Sequence, residues 1–212
     1  MDNNRIFKVC DETFKLAGEA IKRGELVVVP TDAVYAVVCD ANNKNAVEKL
    51  RSIRKSKDSK PLTLIMDKKE VNNYCVFKNS VYEKMIMELL PGKISFLVKK
   101  KGNIFEHAVP NNDSLCIFWQ DNETKKVYEN AQTVLAISSA NTAGNQEATT
   151  IEKAVEYFGD QVTMYIDCEE ERGKKGTTQL DLREDTVKVM RESDTLPMSK
   201  IKEILKDKGI EI

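Results

Sequence analysis

A cluster of hydroxyl and amide side chains follows one aliphatic run and offers most of the obvious chemistry in this chain. Residues 133–137 are largely aliphatic and predict a buried strand. Ser138, Ser139, Asn141 and Gly144 come directly after it. A strand end of this composition supplies hydroxyls, an amide and free backbone N–H donors, which suit a phosphate or a polar small molecule. An ordinary turn uses the same residue types, so this segment alone leaves both interpretations open.

Similar polar residues stand at other predicted strand ends and turns. In chain order they are Pro30-Thr31-Asp32 with Tyr35, Arg54, Lys60-Pro61-Leu62, Pro91-Gly92 with Ser95, Ser139 with Asn141, Gly176-Thr177-Thr178 with Asp181, and Arg191. The set resembles the YrdC family, the threonylcarbamoyl-AMP synthases and their relatives, over residues 24–191. The corresponding family elements are a PT-D/E-T-x-Y turn, K-x-R with KPL, PG-x-x-T, S-x-N and S/T-T-x-x-D-L. The Arg54 region and the Thr177-Thr178 segment look closest to the YciO branch.

The resemblance implies a fold and a reaction. The fold is a mixed sheet flanked by helices, with a deep concave nucleotide pocket. The family reaction joins ATP, L-threonine and bicarbonate into threonylcarbamoyl adenylate, releases pyrophosphate and supplies the threonylcarbamoyladenosine modification of tRNA. Such chemistry needs cations and N–H donors for phosphate charge, with Mg²⁺ on the phosphates. It requires neither a histidine nor a cysteine nucleophile, and no protein-bound metal is expected.

Residue by residue, the resemblance implies three catalytic and eight binding positions. The catalytic positions are Arg54, Ser139 and Asn141, and those that bind nucleotide or substrate are Thr31, Tyr35, Lys60, Ser95, Thr149, Thr177, Thr178 and Arg191. Simpler roles remain open for several of them. The Thr31 hydroxyl would also suit an ordinary turn. Arg54 and Lys60 could instead be solvated cations at the end of a helix. Thr149 with Glu152 also fits a helix capping box.

Four positions depart from the family pattern. Ser56 stands at the arginine of K-x-R, and Phe118 stands at an arginine of a later strand. Ala33 and Ala36 replace a threonine and a glycine. Each lost charge-assisted contact would weaken anion binding by about 1.5–3 kcal/mol. The alternative function is therefore a weakly active or non-catalytic YciO-like protein that binds nucleotide, tRNA or double-stranded RNA.

Composition excludes several function classes. The chain has 212 residues, 41% hydrophobic and 32% charged, with a net charge of −1 that gives no bulk attraction for nucleic acid. Local basic clusters at residues 51–60 and 99–101 would have to supply any RNA affinity. Five scattered cysteines and a single histidine disfavour zinc sites and His-dependent catalysis. A polar N-terminus and the lack of a long apolar run favour a cytoplasmic protein without membrane contact. The oligomeric state is left open.

Hydrophobic periodicity predicts the elements that must position these residues. Helices are expected at 9–22, 43–53, 80–90, 122–132, 149–159 and 199–208. Strands are expected at 26–29, 34–39, 62–66, 94–98, 115–119, 133–137, 162–166, 178–182 and 187–190. With no repeat or linker, the sequence favours a single domain over 1–212, of α/β or α+β class, built on a mixed twisted sheet.

Overall fold

The computed structural model describes residues 5–56, 60–173 and 177–211, so Lys57 and Gly176 of the predicted motifs lie outside the described residues. The helices are α1 (Asp11–Lys22), α2 (Lys44–Ile53), α3 (Val71–Tyr74), α4 (Ser80–Leu89), α5 (Glu123–Ala131), α6 (Ile151–Phe158) and α7 (Met198–Asp207). The strands are β1 (Ile6–Lys8), β2 (Val27–Pro30), β3 (Tyr35–Asp40), β4 (Thr63–Ile65), β5 (Cys75–Val76), β6 (Ile94–Lys100), β7 (Ser114–Phe118), β8 (Leu135–Ser139), β9 (Met164–Asp167), β10 (Thr178–Asp181) and β11 (Lys188–Arg191). Short 3₁₀ turns occupy Lys68–Glu70 and Gly159–Gln161.

The described strands form one mixed sheet. Their order is β1-β9-β2-β3-β8-β4-β7-β6-β10-β11, and β5 pairs with β6. Four pairs are parallel, namely β1–β9, β2–β9, β4–β7 and β6–β10, and the other described pairs are antiparallel. The predicted fold class, a mixed α/β sheet flanked by helices, is confirmed.

Helices cover the sheet because each has one apolar face. In α2 this face consists of Ala46, Val47, Leu50 and Ile53, all buried. The side chain of Asn43 caps the helix by accepting a hydrogen bond from the backbone of Ala46 at 3.1 Å. The helix thus begins at a fixed point and ends next to the polar loop that follows β8.

The close packing of α1 against α5 depends on Gly18. A Cβ atom at this position would lie 2.5 Å from the backbone carbonyl carbon of Asn130. Because the contacted atom belongs to the backbone, a larger side chain would force the two helices apart. None of the helices in the described part is both long and apolar enough to cross a membrane.

Two local predictions were wrong, and three elements were missed. The strand expected at 133–137 is β8, which includes Ser138 and Ser139 because they pair with Val37 and Ala36 of β3. The N-cap of α6 is Thr150 rather than Thr149, since the Thr150 hydroxyl accepts the hydrogen bond from Lys153 N at 3.3 Å. The missed elements, β1, α3 and β5, have only three, four and two residues, too few to show periodicity.

Candidate functional site

A cavity of about 570 Å³ lies over one face of the sheet. Seven of the eleven predicted site residues line it, namely Thr31, Arg54, Lys60, Ser95, Ser139, Thr177 and Arg191. Strand register explains how segments distant in sequence come together, because paired residues on neighbouring strands point to the same face. One row across the sheet runs Phe118, Ser95, Gln179 and Arg191, and another runs Ile137, Thr63, Cys116 and Leu97. All eight of these residues line the cavity.

Arg54, Ser139 and Asn141, the predicted catalytic residues, form one hydrogen-bonded cluster. Arg54 Nε donates to the backbone oxygen of Ser139 at 2.9 Å, and one terminal nitrogen donates to Asn141 Oδ1 at 3.1 Å. The Ser139 hydroxyl donates to the same Asn141 oxygen at 2.7 Å. Asn141 in turn donates to the backbone oxygens of Thr142 and Asn145, at 3.1 and 2.8 Å. The loop therefore holds the guanidinium in one orientation.

The charge of Arg54 is buried without a carboxylate in contact among the described residues. Its side chain is 7% exposed, and burial lowers the pKa of the guanidinium. The nearby charge of Glu147 raises the pKa and offsets part of this effect. An arginine keeps its proton under all ordinary conditions, so Arg54 remains a cation with neutral partners. Such a group is well placed to bind an incoming anion.

The cavity as a whole is cationic. Among its described lining residues five carry a positive charge, namely Arg51, Arg54, Lys60, Arg183 and Arg191, and only Glu147 carries a negative one. The charge of Arg183 is offset by the Asp181 carboxylate, which it contacts at 2.7 Å. Arg191 is held by hydrogen bonds to the Thr177 backbone oxygen at 2.7 Å and the Thr177 hydroxyl at 3.2 Å. Lys60 is exposed. The arrangement suits a ligand that carries several negative charges.

Thr31 lines the cavity but also builds its own turn. The hydroxyl donates to the Val34 backbone oxygen at 2.6 Å. It also accepts hydrogen bonds from the backbone of Ala33 and Val34, at 3.2 and 3.1 Å. The turn role considered from the sequence is therefore present.

Four predicted site residues do not line the cavity. Tyr35 and Thr178 point to the opposite face of the sheet, because their neighbours Ala36 and Gln179 face the cavity. The Tyr35 hydroxyl contacts Cys168 Sγ at 3.0 Å, and burial raises the pKa of this tyrosine hydroxyl. The Thr178 hydroxyl donates to Leu196 O at 2.6 Å and accepts from Ser193 N at 3.0 Å. Asn141 lies behind Arg54, and Thr149 donates to a Glu171 carboxylate oxygen at 3.2 Å.

Every position at which the sequence departs from the family pattern faces the cavity. Ser56, Phe118, Ala33 and Ala36 all line it. Phe118 is 6% exposed and packs at the cavity floor beside Ser95. The departures therefore change the binding surface itself rather than remote parts of the fold.

Sequence reasoning missed several lining residues. Arg51 precedes Arg54 by about one helical turn but donates to backbone oxygens of Lys60 and Ala108, so it ties two loops to α2. Cys116 and Gln179 lie on the cavity floor. The sequence carried no signal for either residue, because the face that each occupies follows from the register of β7 and β10 with β6. Burial raises the pKa of the Cys116 thiol, so the thiol stays protonated.

Comparison with known proteins identifies the family of this chain. The sequence model of the Sua5/YciO/YrdC family, described as "Telomere recombination", matches residues 19–193. The chain belongs to this family. A Methanocaldococcus jannaschii protein, named provisionally as a threonylcarbamoyl-AMP synthase, is 27% identical and is aligned over 93% of this chain and 95% of its own length. The threonylcarbamoyl-AMP synthase of Pseudoalteromonas translucida is 26% identical over 73% of this chain and 85% of its own.

Solved structures of family members share the fold. Sua5 of P. abyssi superposes with a TM-score of 0.88 at 21% identity, covering 94% of this chain and 63% of the Sua5 chain. The chain thus spans less than two thirds of Sua5. A second P. abyssi Sua5 structure, described as complexed with L-threonine, has a TM-score of 0.86. E. coli YciO has a TM-score of 0.79 at 24% identity, covering 89% of this chain and 95% of YciO.

Proposed function

We propose that this protein is a nucleotidyltransferase that forms L-threonylcarbamoyl adenylate from ATP, L-threonine and bicarbonate. The observation that carries the proposal is the fixed, buried Arg54 guanidinium, held by Ser139 and Asn141 at the wall of a cationic cavity. The cavity volume, about 570 Å³, lies within the range of small-molecule sites. The names of the aligned synthases and the threonine complex of Sua5 support the choice of substrates.

The proposed reaction makes two bonds and breaks two. The threonine amine attacks the carbon of bicarbonate, a C–N bond forms, and water leaves to give the carbamate. An oxygen of this carbamate then attacks the α-phosphorus of ATP, a P–O bond forms, and the bond to pyrophosphate breaks so that pyrophosphate leaves. Negative charge builds up on the phosphates, which Arg54, Lys60 and Arg191 would stabilise as fixed cations. Mg²⁺ would accompany the phosphates as part of the substrate. Asn141 and the Ser139 backbone act through Arg54 by keeping its guanidinium in place.

Hydroxyl groups on the lining surface would complete the site. Ser95, Ser139 and Thr177 present hydroxyls on three different parts of the cavity wall. The Thr177 hydroxyl accepts from Arg191 and can donate to a phosphate oxygen or to the carboxylate of the amino acid. The hydroxyls of Ser95 and Ser139 already donate to Thr178 O and Asn141 Oδ1, so they can accept a hydrogen bond from a ligand. The product adenylate would then supply a tRNA-modifying enzyme.

The direct test is incubation with Mg-ATP, bicarbonate and one amino acid at a time. Pyrophosphate release and adenylate formation should require all three substrates and should be greatest with L-threonine. Reactions without bicarbonate, and with L-serine in place of L-threonine, are the controls. Pyrophosphate release that does not depend on the amino acid would contradict the proposal.

A second candidate is a weakly active or non-catalytic relative that binds nucleotide or structured RNA. Ser56 and Phe118 favour it, because both remove a potential guanidinium from the cavity surface. RNA affinity through the basic surface would fall steeply as salt rises. Binding of tRNA and of an RNA duplex, each titrated against salt without adenylate formation, would select this candidate. RNA binding that does not respond to salt would count against it.

A further inference from the structure

A segment that follows β9 connects parts of the cavity wall that come from different strands. Residues 168–173, which we call the strap, begin the connection from β9 to β10, and this connection ends at Thr177 of the cavity lining. Six strands (β2, β3, β8, β4, β7 and β6) lie between β9 and β10 in the sheet. The connection therefore joins two distant places in the sheet, and the cavity lies over several of the strands between them.

Two consecutive residues of the strap contact two separate wall segments. The backbone N–H of Arg172 donates to the Thr149 oxygen at 2.8 Å, and Glu147, two residues before Thr149, lines the cavity. A Cβ atom on Gly173 would lie 3.6 Å from the backbone oxygen of Ala33, which also lines the cavity. The strap thus joins the loop before α6 to the turn after β2.

The side chain of Arg172 attaches the strap to the first turn of α5. One terminal nitrogen of its guanidinium lies 3.1 Å from Glu123 Oε1, and the two side chains are only 14% and 23% exposed. An ion pair this far from solvent is screened less than a pair on the open surface, where such pairs contribute little. The pair therefore gives the strap a fixed point on a helix.

The same end of α5 also holds the turn that carries Thr31. Asn122, the N-cap of α5, donates to the Asp32 carboxylate at 2.6 Å and to the Gln120 amide oxygen at 3.0 Å. This Gln120 oxygen also accepts from the backbone N–H of Asp32 at 3.1 Å, and Gln120 is fully buried. The turn and the strap are therefore both attached to the start of α5.

We propose that Arg172 is a positioning residue that holds the two wall segments in the arrangement that binds the nucleotide. This inference rests on the proposed nucleotidyltransferase function, and it concerns a residue that does not itself line the cavity. Without the Arg172–Glu123 pair, a ligand would have to order the wall segments as it binds, and the free energy of this ordering would reduce its affinity. Once the ligand is bound the wall has its normal arrangement, so the chemical step should keep its rate.

Arg172→Met tests the inference, because it removes the ion pair while keeping a long side chain. Isothermal titration gives the Kd for Mg-ATP, and adenylate formation gives KM and kcat. We expect the Kd and the KM for ATP to rise by about 3- to 30-fold, as for a wall that is correctly arranged about 3 to 30% of the time, with kcat within about twofold. A lower melting temperature with unchanged Kd and KM would show a role in stability alone and would overturn the inference.

Two further changes assign the effect to the ion pair. Arg172→Lys keeps a positive charge facing Glu123 and should bind Mg-ATP within about threefold of the unmodified protein. Glu123→Gln should weaken binding, and the double variant should bind no more weakly than Arg172→Met, because both changes remove the same interaction. Losses that add up in the double variant would show that the two residues act separately, against the inference.

Arg5 provides a control outside the cavity. It also joins two parts of the chain, through hydrogen bonds to the backbone oxygens of Asp160 and Val162, both at 3.0 Å. Arg5→Met should lower the melting temperature without changing the Kd for Mg-ATP. A loss of affinity as large as that of Arg172→Met would mean that lower stability alone weakens binding, and the positioning role would be wrong.

The outcomes also separate this inference from the proposed function. If the unmodified protein does not bind Mg-ATP, both fail. If it forms adenylate and Arg172→Met keeps its Kd and KM, only the inference fails. If binding depends on Arg172 but no adenylate forms, only the proposed function fails. Should Arg172→Met not fold, Glu123→Gln decides the matter, because it must raise the Kd by itself.

Discussion

Replacing Arg54 with methionine would remove a buried guanidinium while keeping an apolar side chain of similar length. Two good hydrogen bonds are lost, to Ser139 O at 2.9 Å and Asn141 Oδ1 at 3.1 Å. At about 1.5–3 kcal/mol for each bond to a charged group, the gross loss is about 3–6 kcal/mol. Burial of an arginine without a contacting carboxylate destabilises the folded protein by several kcal/mol, and Arg54→Met removes this destabilisation. The free energy of unfolding should therefore change by no more than about 2 kcal/mol.

The effect on ligand binding should be much larger. A charge-assisted hydrogen bond to a phosphate oxygen contributes about 1.5–3 kcal/mol, so its loss would weaken Mg-ATP binding by about 10- to 160-fold. Isothermal titration gives the affinity, and urea unfolding gives the stability. The expected signature of Arg54→Met is a large loss of affinity with a small change in stability.

Arg51 provides a matched control on the same helix. It is also buried, but it donates to backbone oxygens of Lys60, His107 and Ala108. Arg51→Met would remove these hydrogen bonds, which tie two loops to α2, and should lower the free energy of unfolding by about 2–6 kcal/mol. Arg51 also lines the cavity, but its guanidinium is tied to backbone oxygens, so Arg51→Met, measured well below its melting temperature, should weaken Mg-ATP binding clearly less than Arg54→Met does. If Arg54→Met keeps its affinity within about twofold, Arg54 does not contact the phosphates.

Three further predictions concern the cavity and its supports. Ser56→Arg should strengthen Mg-ATP binding by up to about tenfold, because Ser56 lines the cavity and a guanidinium there adds a phosphate partner. Mg-ATP titration of Ser56→Arg and of a control variant, Ser52→Arg on the exposed face of α2, measures this gain in affinity. If Ser56→Arg binds no more tightly than the control, the prediction is wrong. The hydrogen bond from Arg183 lowers the pKa of the Asp181 carboxyl in the folded protein below its ordinary value of 3.8. The ionised carboxylate therefore stabilises the fold above pH 3.8, and this stabilisation is lost as the pH falls through the pKa of the folded protein. Asp181→Asn should therefore flatten the stability profile in acid, as measured by urea unfolding from about pH 3 to 6; an unchanged slope would refute this. Thr178→Val should cost about 1–3 kcal/mol of stability without weakening Mg-ATP binding, because its hydroxyl faces away from the cavity; weaker binding in titration would place it in the site.

Much of the fold could be predicted from the sequence because its signals are local. The apolar face of α2 and its Asn43 cap are set by neighbours within one or two turns, and the structure places the helix at Lys44–Ile53. The apolar runs of the central strands likewise lie within one or two residues of their predicted positions. The family resemblance brought Arg54, Ser139 and Asn141 into one hypothesis, and the structure brings them into one hydrogen-bonded cluster.

Which face each strand residue occupies was decided only by the tertiary structure. A one-residue change in register reverses every side chain, so sequence alone could not place Thr178 behind the sheet and Gln179 in the cavity. Pairing with β3 extends β8 through Ser139, which local composition had placed in a loop. Arg51 and Arg54 look alike in sequence. In the structure Arg51 donates to nearby backbone carbonyl groups and so has a structural role, whereas Arg54 is held by the polar loop after β8 and remains accessible to a ligand. These roles depend on contacts across more than fifty residues, and the chain makes those contacts only when it folds.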